Sequence, residues 1–197
     1  MLMQRDKNIL KFLEKYKAIT IQQSYRIFFN NAKFGNDRSR KRLKELETMG
    51  VLKSYINKLT REKVYYLEDK VSAHDLYIND FYSMLVFNGC KDIEYIKEPK
   101  YLKGLIRPDA FFKFTLDDNL HFILLEVDLT HFTGANKFQM YEKLYKENIL
   151  QKECYGTFPL VVIIGVNDIK YESNNFFVEY LDFSLKGLEK RILGLER

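Results

Sequence analysis

Cysteine and histidine are scarce in these 197 residues, and that scarcity excludes whole classes of chemistry. Cys90 and Cys154 stand alone and far apart, without the paired spacing of a disulfide framework. His74, His121 and His131 show no ligand spacing with them, so a zinc site is not indicated and two reduced, buried thiols are expected. Long apolar runs are missing as well. The longest, Leu160 to Gly165, is far too short to span a bilayer, and no apolar stretch follows a basic segment at the N-terminus. A cytoplasmic protein without membrane attachment is the expectation.

What the chain does have is a folded composition and an uneven distribution of charge. With 46% hydrophobic and 15% aromatic residues it can bury one substantial core or two small ones. The net charge of +5 conceals a division: residues 1–70 carry 17 Lys and Arg against 8 Asp and Glu, whereas residues 71–197 carry 15 against 19. A segment with a net of +9 attracts polyanions through counterion release, and DNA or RNA is the natural candidate because no amphipathic membrane helix is present.

The first seventy residues follow a helix, helix, helix, hairpin order. Ile9, Leu10, Phe12, Leu13 and Tyr16 form the apolar stripe of a first helix. Thr20-Ile21-Gln22-Gln23 fits a capping box that opens a short second helix, with Ile21, Tyr25 and Phe28 on its inner side. Asn36 or Asp37 then caps a third helix through Met49, with Ser39, Leu43 and Leu46 inward and Gly50 as a left-handed stop. This third helix carries Arg38, Arg40, Lys41, Arg42 and Lys44, and its projection turns Lys41 and Lys44 directly outward. Lys53 to Lys58 and Lys63 to Leu67 read as two strands around Thr60-Arg61-Glu62, placing Lys58, Arg61 and Lys63 near the tip of a hairpin. The order predicts a winged helix-turn-helix over residues 1–70.

Residues 71–197 predict an α/β domain. Ser72 caps a helix ending at Asn88-Gly89. Strands are expected at Ile93 to Lys97, Asp109 to Leu116 and His121 to Leu129, the last two joined by the Asp117-Asp118-Asn119 turn. A helix from Ala135 to Lys152 crosses over to a buried strand at Phe158 to Gly165, Phe176 to Phe183 adds an edge strand, and Leu185 to Leu195 reads as an amphipathic helix. Alternation places Glu126 and Asp128 on one face of their strand, with Asp109 on its neighbour, so three carboxylates are expected to converge as a site for a hard cation such as Mg2+ or Mn2+.

These segments carry a family resemblance. Residues 71–197 resemble the PD-(D/E)xK nuclease superfamily, and the whole chain resembles the replication-relaxation family of plasmids and other mobile elements. The matching pieces are Ala73 to Asp80, Arg107-Pro108-Asp109-Ala110, Glu126-Val127-Asp128 and the stretch Lys137 to Tyr145. The resemblance implies handling of element DNA in replication or conjugative transfer, beside a relaxase or replication initiator. It implies Asp109, Glu126 and Asp128 as the catalytic or metal-binding positions, with a departure: Asp128 stands where active members have a lysine. An anion there works against hydrolysis of an anionic backbone, unless Lys113 or Lys137 supplies a migrated lysine. Tyr141 and Tyr145, at helical spacing beside Phe138 and Ile149, read as core, and the histidine cluster that accompanies a relaxase tyrosine is lacking.

The expectation is therefore a DNA-binding accessory protein with a non-catalytic nuclease-like domain. A Mg2+-dependent nuclease and a transcriptional repressor are the alternatives. A homodimer through Leu185 to Leu195 is expected for the assembled form.

Overall fold

Apolar residues at helical spacing and an early acidic cap set the first element. In the computed structural model, which describes residues 2–129, 133–166 and 170–195, helix α1 runs Gln4–Tyr16. The Met3 amide donates to Asp6 Oδ2 at 2.6 Å, and Ile9, Phe12 and Leu13 are buried. A short strand β1, Ala18–Thr20, comes next; three residues leave no periodic signal to read. Thr20 then caps α2, Ile21–Ser24, by the expected box: its hydroxyl accepts from the Gln23 amide at 3.2 Å, and its own amide donates to Gln23 Oε1 at 2.9 Å.

One widened turn then changes which aromatic side chains face the core. Tyr25–Phe29 is π-helical, and the extra residue per turn rotates the later side chains. Phe29 is buried instead of the expected Phe28, which is only partly covered with Ile21 and Tyr25. Helix α3, Gly35–Thr48, starts before either expected cap, directly after Phe34 in the left-handed conformation. Gly35 has to be glycine, since a Cβ there would lie 2.2 Å from the Phe29 carbonyl oxygen and 2.9 Å from the Tyr25 ring. Ser39, Leu43 and Leu46 face inward as expected.

Strands β2, Lys53–Ile56, and β3, Lys63–Tyr66, form the hairpin, and β1 joins it to give an antiparallel sheet ordered β1-β3-β2. The core gathers Ile9, Leu13, Ile19, Phe29, Leu43 and Leu46, among others. Helix α4, Ala73–Phe87, is capped by Ser72 Oγ, which accepts from the Asp75 amide at 3.1 Å. It belongs to this first unit: Gln23 Nε2 donates to the Leu76 carbonyl at 3.0 Å, Asn79 Nδ2 donates to Tyr16 and Ala18 carbonyls, and Arg26 pairs with Asp80 at 3.1 Å. The two compact units are Met1–Asn88 and Gly89–Arg197, so the division falls after the helix that the sequence pattern assigns to the second domain.

The second unit is a five-stranded mixed sheet in the order β4-β5-β6-β7-β8. β4, Lys91–Lys97, β5, Ala110–Leu116, and β6, Asn119–Asp128, form an antiparallel meander. Asp117 and Asp118 both adopt positive φ, which suits the twist of a two-residue hairpin. Helices α5, Ala135–Lys146, and α6, Ile149–Glu153, cross over to β7, Leu160–Gly165, which runs parallel to β6. The single helix expected over Ala135 to Lys152 is divided here by Asn148 at φ 55°. β8, Val178–Leu181, completes the edge in parallel with β7.

The expected terminal helix shrinks to α7, Leu188–Arg191, and Leu185, Leu188 and Leu193 are buried within the chain. Those leucines are taken up by folding and do not form the dimer surface expected there. Both cysteines are buried and free. Among the described residues no helix is long and apolar enough to cross a membrane. The architecture is α+β overall.

The close approach at Gly35 generates a test. Gly35→Ala should destabilise the first unit by at least about 1–3 kcal/mol, the usual cost of overpacking, because the clash is with backbone. A melting temperature equal to wild type would show that the π-helical turn yields freely.

Candidate nucleic-acid interface and acidic site

Burial of one helical face leaves the opposite face of α3 to solvent. Arg38, Arg40, Lys41 and Lys44 are exposed there. Arg40 approaches Asp37 at 3.6 Å and Lys44 approaches Glu47 at 3.0 Å, both pairs made by exposed cations that water screens.

Two cations expected on the DNA-facing surface are used for folding instead. Arg42 turns inward: its Nε and Nη2 hold the two carboxylate oxygens of Asp6 at 2.7 and 2.5 Å, and Nη1 reaches Glu45 at 2.7 Å. Asp6 is 0% exposed, and the hydrogen bonds from Arg42 hold its carboxyl below the ordinary aspartate range despite the opposing cost of burial. The physical reason is position: Arg42 precedes inward Leu43 and follows inward Ser39 by three residues, at the edge of the buried face. Lys63 is the second. Its Nζ lies 2.8 Å from Glu47, which also accepts from Ser54 Oγ at 2.5 Å. Lys63, Ser54 and Lys44 together pull Glu47 down to about 2, and the carboxylate ties the last turn of α3 to both strands of the hairpin.

At the hairpin tip Lys58 and Arg61 are exposed. The turn is fixed by Asn57, whose Oδ1 accepts from the Leu59 and Thr60 amides at 2.9 and 3.1 Å. Sequence reasoning misses both the Asp6–Arg42 pair and the Glu47 clamp. The signal present for the first is an aspartate in the first turn of α1 with an arginine at the margin of the α3 stripe.

In the second unit the carboxylates of interest each have a protein partner. Asp109 Oδ2 accepts from the Val127 amide at 2.7 Å, and its own amide donates to the Leu125 carbonyl at 3.0 Å. Asp128 accepts from the amide and hydroxyl of Thr133 at 2.7 and 2.8 Å. Glu126 is 1% exposed. Lys137, in the first turn of α5, places Nζ 2.5 Å from its Oε2, and Tyr141, one turn later, donates its hydroxyl to Oε1. Burial raises the Glu126 carboxyl to about 7; the charge of Asp109 adds to the rise, while Lys137 and Tyr141 oppose it. Burial also holds the Tyr141 phenol well above its ordinary range, so it remains a donor.

Of the two candidate lysines, Lys137 is therefore the one at Glu126. Lys113 sits opposite Phe122 in β6, about 13 Å along the strand from Asp109 at ~3.3 Å per residue. The expected convergence of Asp109, Glu126 and Asp128 on a cation is not realised. Among the described residues no group of three or more histidine, cysteine, aspartate or glutamate side chains is arranged to hold a metal ion. In the arrangement seen, both oxygens of Glu126 are hydrogen-bonded by protein groups.

Tyr141 is core, as its spacing suggests, but it is also a polar partner, which Lys137 and Tyr141 four residues apart on one helical face could have signalled. Arg107, of the Pro-Asp motif, pairs with exposed Glu98. His121 stacks on Phe114 with ring centroids 5.2 Å apart, and His131 lies outside the described residues. No protein-family model, curated protein or solved structure matches the chain.

The raised Glu126 carboxyl fixes a direction for pH. Its folded-state value, about 7, exceeds the ordinary 4.5, so its contribution is most favourable below about 4.5 and is lost as pH rises through about 7. Glu126→Gln removes that dependence at nearly constant volume. Between pH 5 and pH 8 the wild type should lose up to about 3 kcal/mol relative to the glutamine variant, measured by urea unfolding at each pH. A constant difference between the two proteins would show that Glu126 does not titrate in this window.

Proposed function

We propose that the first unit is a winged helix that binds double-stranded DNA, with α3 as its recognition helix and the β2–β3 hairpin as its wing. The single observation that carries the reading is the outward row Arg38, Arg40, Lys41 and Lys44 on a helix whose opposite face is packed into the core. Four cations on one exposed face of a helix offer charge to phosphates and donors to base edges. The charge balance supports the same partner: Met1–Asn88 holds 17 Lys and Arg against 10 Asp and Glu.

The second unit acts in this reading as a nuclease-like scaffold, in which Lys137 pairs with the buried Glu126 carboxylate and Tyr141 donates a hydrogen bond to it. Together with the resemblance to replication-relaxation proteins, this supports a cytoplasmic accessory protein of a plasmid or other mobile element. It would work beside a relaxase or replication initiator in replication or conjugative DNA processing, and a repressor of an element promoter would use the same DNA-binding surface. A nuclease is the second reading, favoured by one specific observation: a lysine does reach Glu126, from α5 instead of from β6.

Duplex binding measured by fluorescence anisotropy tests the proposal. Lys41→Ala and Lys44→Ala should each weaken binding by several-fold, and Arg61→Ala by less. Affinity should fall by on the order of a hundredfold or more as salt rises a few-fold. Arg42→Ala and Lys63→Ala should act instead through stability. Flat salt dependence with unaffected α3 variants would overturn the proposal. Cleavage of DNA in Mg2+ that vanishes in an Asp109→Ala, Glu126→Ala double variant would establish the nuclease reading in place of the scaffold.

A further inference from the structure

Beside the outward row on α3 lies a cleft of about 370 Å³ that the charge pattern of α3 alone does not explain. Arg5, in the first turn of α1, and Arg38, in the first turn of α3, line it with the carboxamides of Asn30 and Asn31, and no carboxylate lines it. Two arginines thus share one concave space with two asparagines, and the nearby Asp6 carboxylate, which feels the charge of Arg5, is held by Arg42 outside the lining. Arg38 forms no ion pair among the described residues, unlike Arg40, Arg42 and Lys44.

Arg5 is held in place. Its guanidinium carbon lies 4.5 Å from the centroid of the Phe29 ring, a cation–π contact that restricts a long side chain while leaving its N–H groups free to donate. Phe29 is itself locked in the core by the π-helical turn, so the same widened turn that moved Phe29 inward builds the floor under Arg5. A guanidinium fixed in this way loses less conformational freedom when it binds an anion than a free surface arginine does.

We propose that this cleft takes a single phosphodiester group of duplex DNA, shared between Arg5 and Arg38, so that the start of α1 is a second anchorage beside the outward face of α3. A planar guanidinium from each side offers the paired N–H geometry that phosphate oxygens accept, and Asn30 and Asn31 supply neutral donors for the remaining oxygens. The inference rests on the DNA-binding reading above, and it adds Arg5, which no periodicity or charge run in the sequence marks.

Salt titrations of duplex binding by wild type, Arg5→Gln, Arg38→Gln, the double variant and Lys41→Ala separate the two claims. Each single glutamine variant is expected to weaken binding about tenfold and to reduce the salt slope by about 0.9, the value for one neutralised phosphate. Because one phosphate is shared, the double variant should reduce the slope no further than either single one. Arg5→Lys keeps the charge and should retain the slope while losing part of the affinity. Unchanged slopes in the arginine variants, with Lys41→Ala still impaired, would overturn the cleft and leave DNA binding by α3 intact. A wild type that does not bind duplex would overturn both. A parallel thermal titration with inorganic phosphate distinguishes the source. Stabilisation of wild type but not of Arg5→Gln, in a protein that binds no duplex, would assign the cleft to a free phosphate and overturn its assignment to DNA.

Discussion

A carboxylate withdrawn from water has to be matched by donors, and in the second unit the arrangement around Glu126 is dictated by that requirement. Its position is set by β6, where it faces the same side as Leu124 in the buried centre of the sheet. Isolated, such a charge would be costly. Lys137 and Tyr141 reach it from adjacent turns of α5, which constrains how the crossover helix lies on the sheet as the chain passes from β6 to the parallel strand β7. Asp109 secures the other side by accepting from the amide of Val127, so the motif Pro108-Asp109 fixes strand pairing next to the charge it flanks. The carboxyl raised to about 7, the phenol kept protonated and the lysine turned inward are three expressions of one constraint.

The first unit solves the same problem with different residues, and the solution determines which cations remain for a partner. Asp6 is matched by Arg42, and Glu47 by Lys63, Ser54 and Lys44. Arg42 lies at the margin of the buried face of α3 and is drawn into the fold; Arg38 and Lys41 lie further out and are not. Charge counting cannot make that distinction, because it depends on which helix packs across the margin. The basic stretch Arg38 to Lys44 is thus two populations, one structural and one facing solvent.

Much of the fold is legible in the sequence because it rests on local signals. Thr20 and Gln23 form the capping box their spacing indicates, Ser72 caps α4, and the Asp117-Asp118 turn joins β5 to β6. The differences arise where non-local packing outranks local pattern. The π-helical turn at Tyr25–Phe29 exchanges Phe28 for Phe29, and Asn148 breaks a helix whose apolar periodicity runs on through it. α4 joins the first unit through side-chain bonds from Gln23 and Asn79 that no sequence window spans. In the acidic site, alternation correctly puts Glu126 and Asp128 on one face of β6. It cannot show that Thr133 occupies Asp128 and that Lys137 and Tyr141 occupy Glu126.

The state of the Glu126 carboxyl tests this balance most directly. Side-chain carbon-13 NMR of the glutamate carboxyl, followed through pH with and without millimolar Mg2+, reads both its midpoint and its competitor. A midpoint near 7 that Mg2+ leaves in place is the expected result, since Lys137 and Tyr141 already hold both oxygens. A midpoint that Mg2+ drives downward, showing a cation that displaces the proton and the lysine together, would contradict it and return this unit to metal-dependent chemistry.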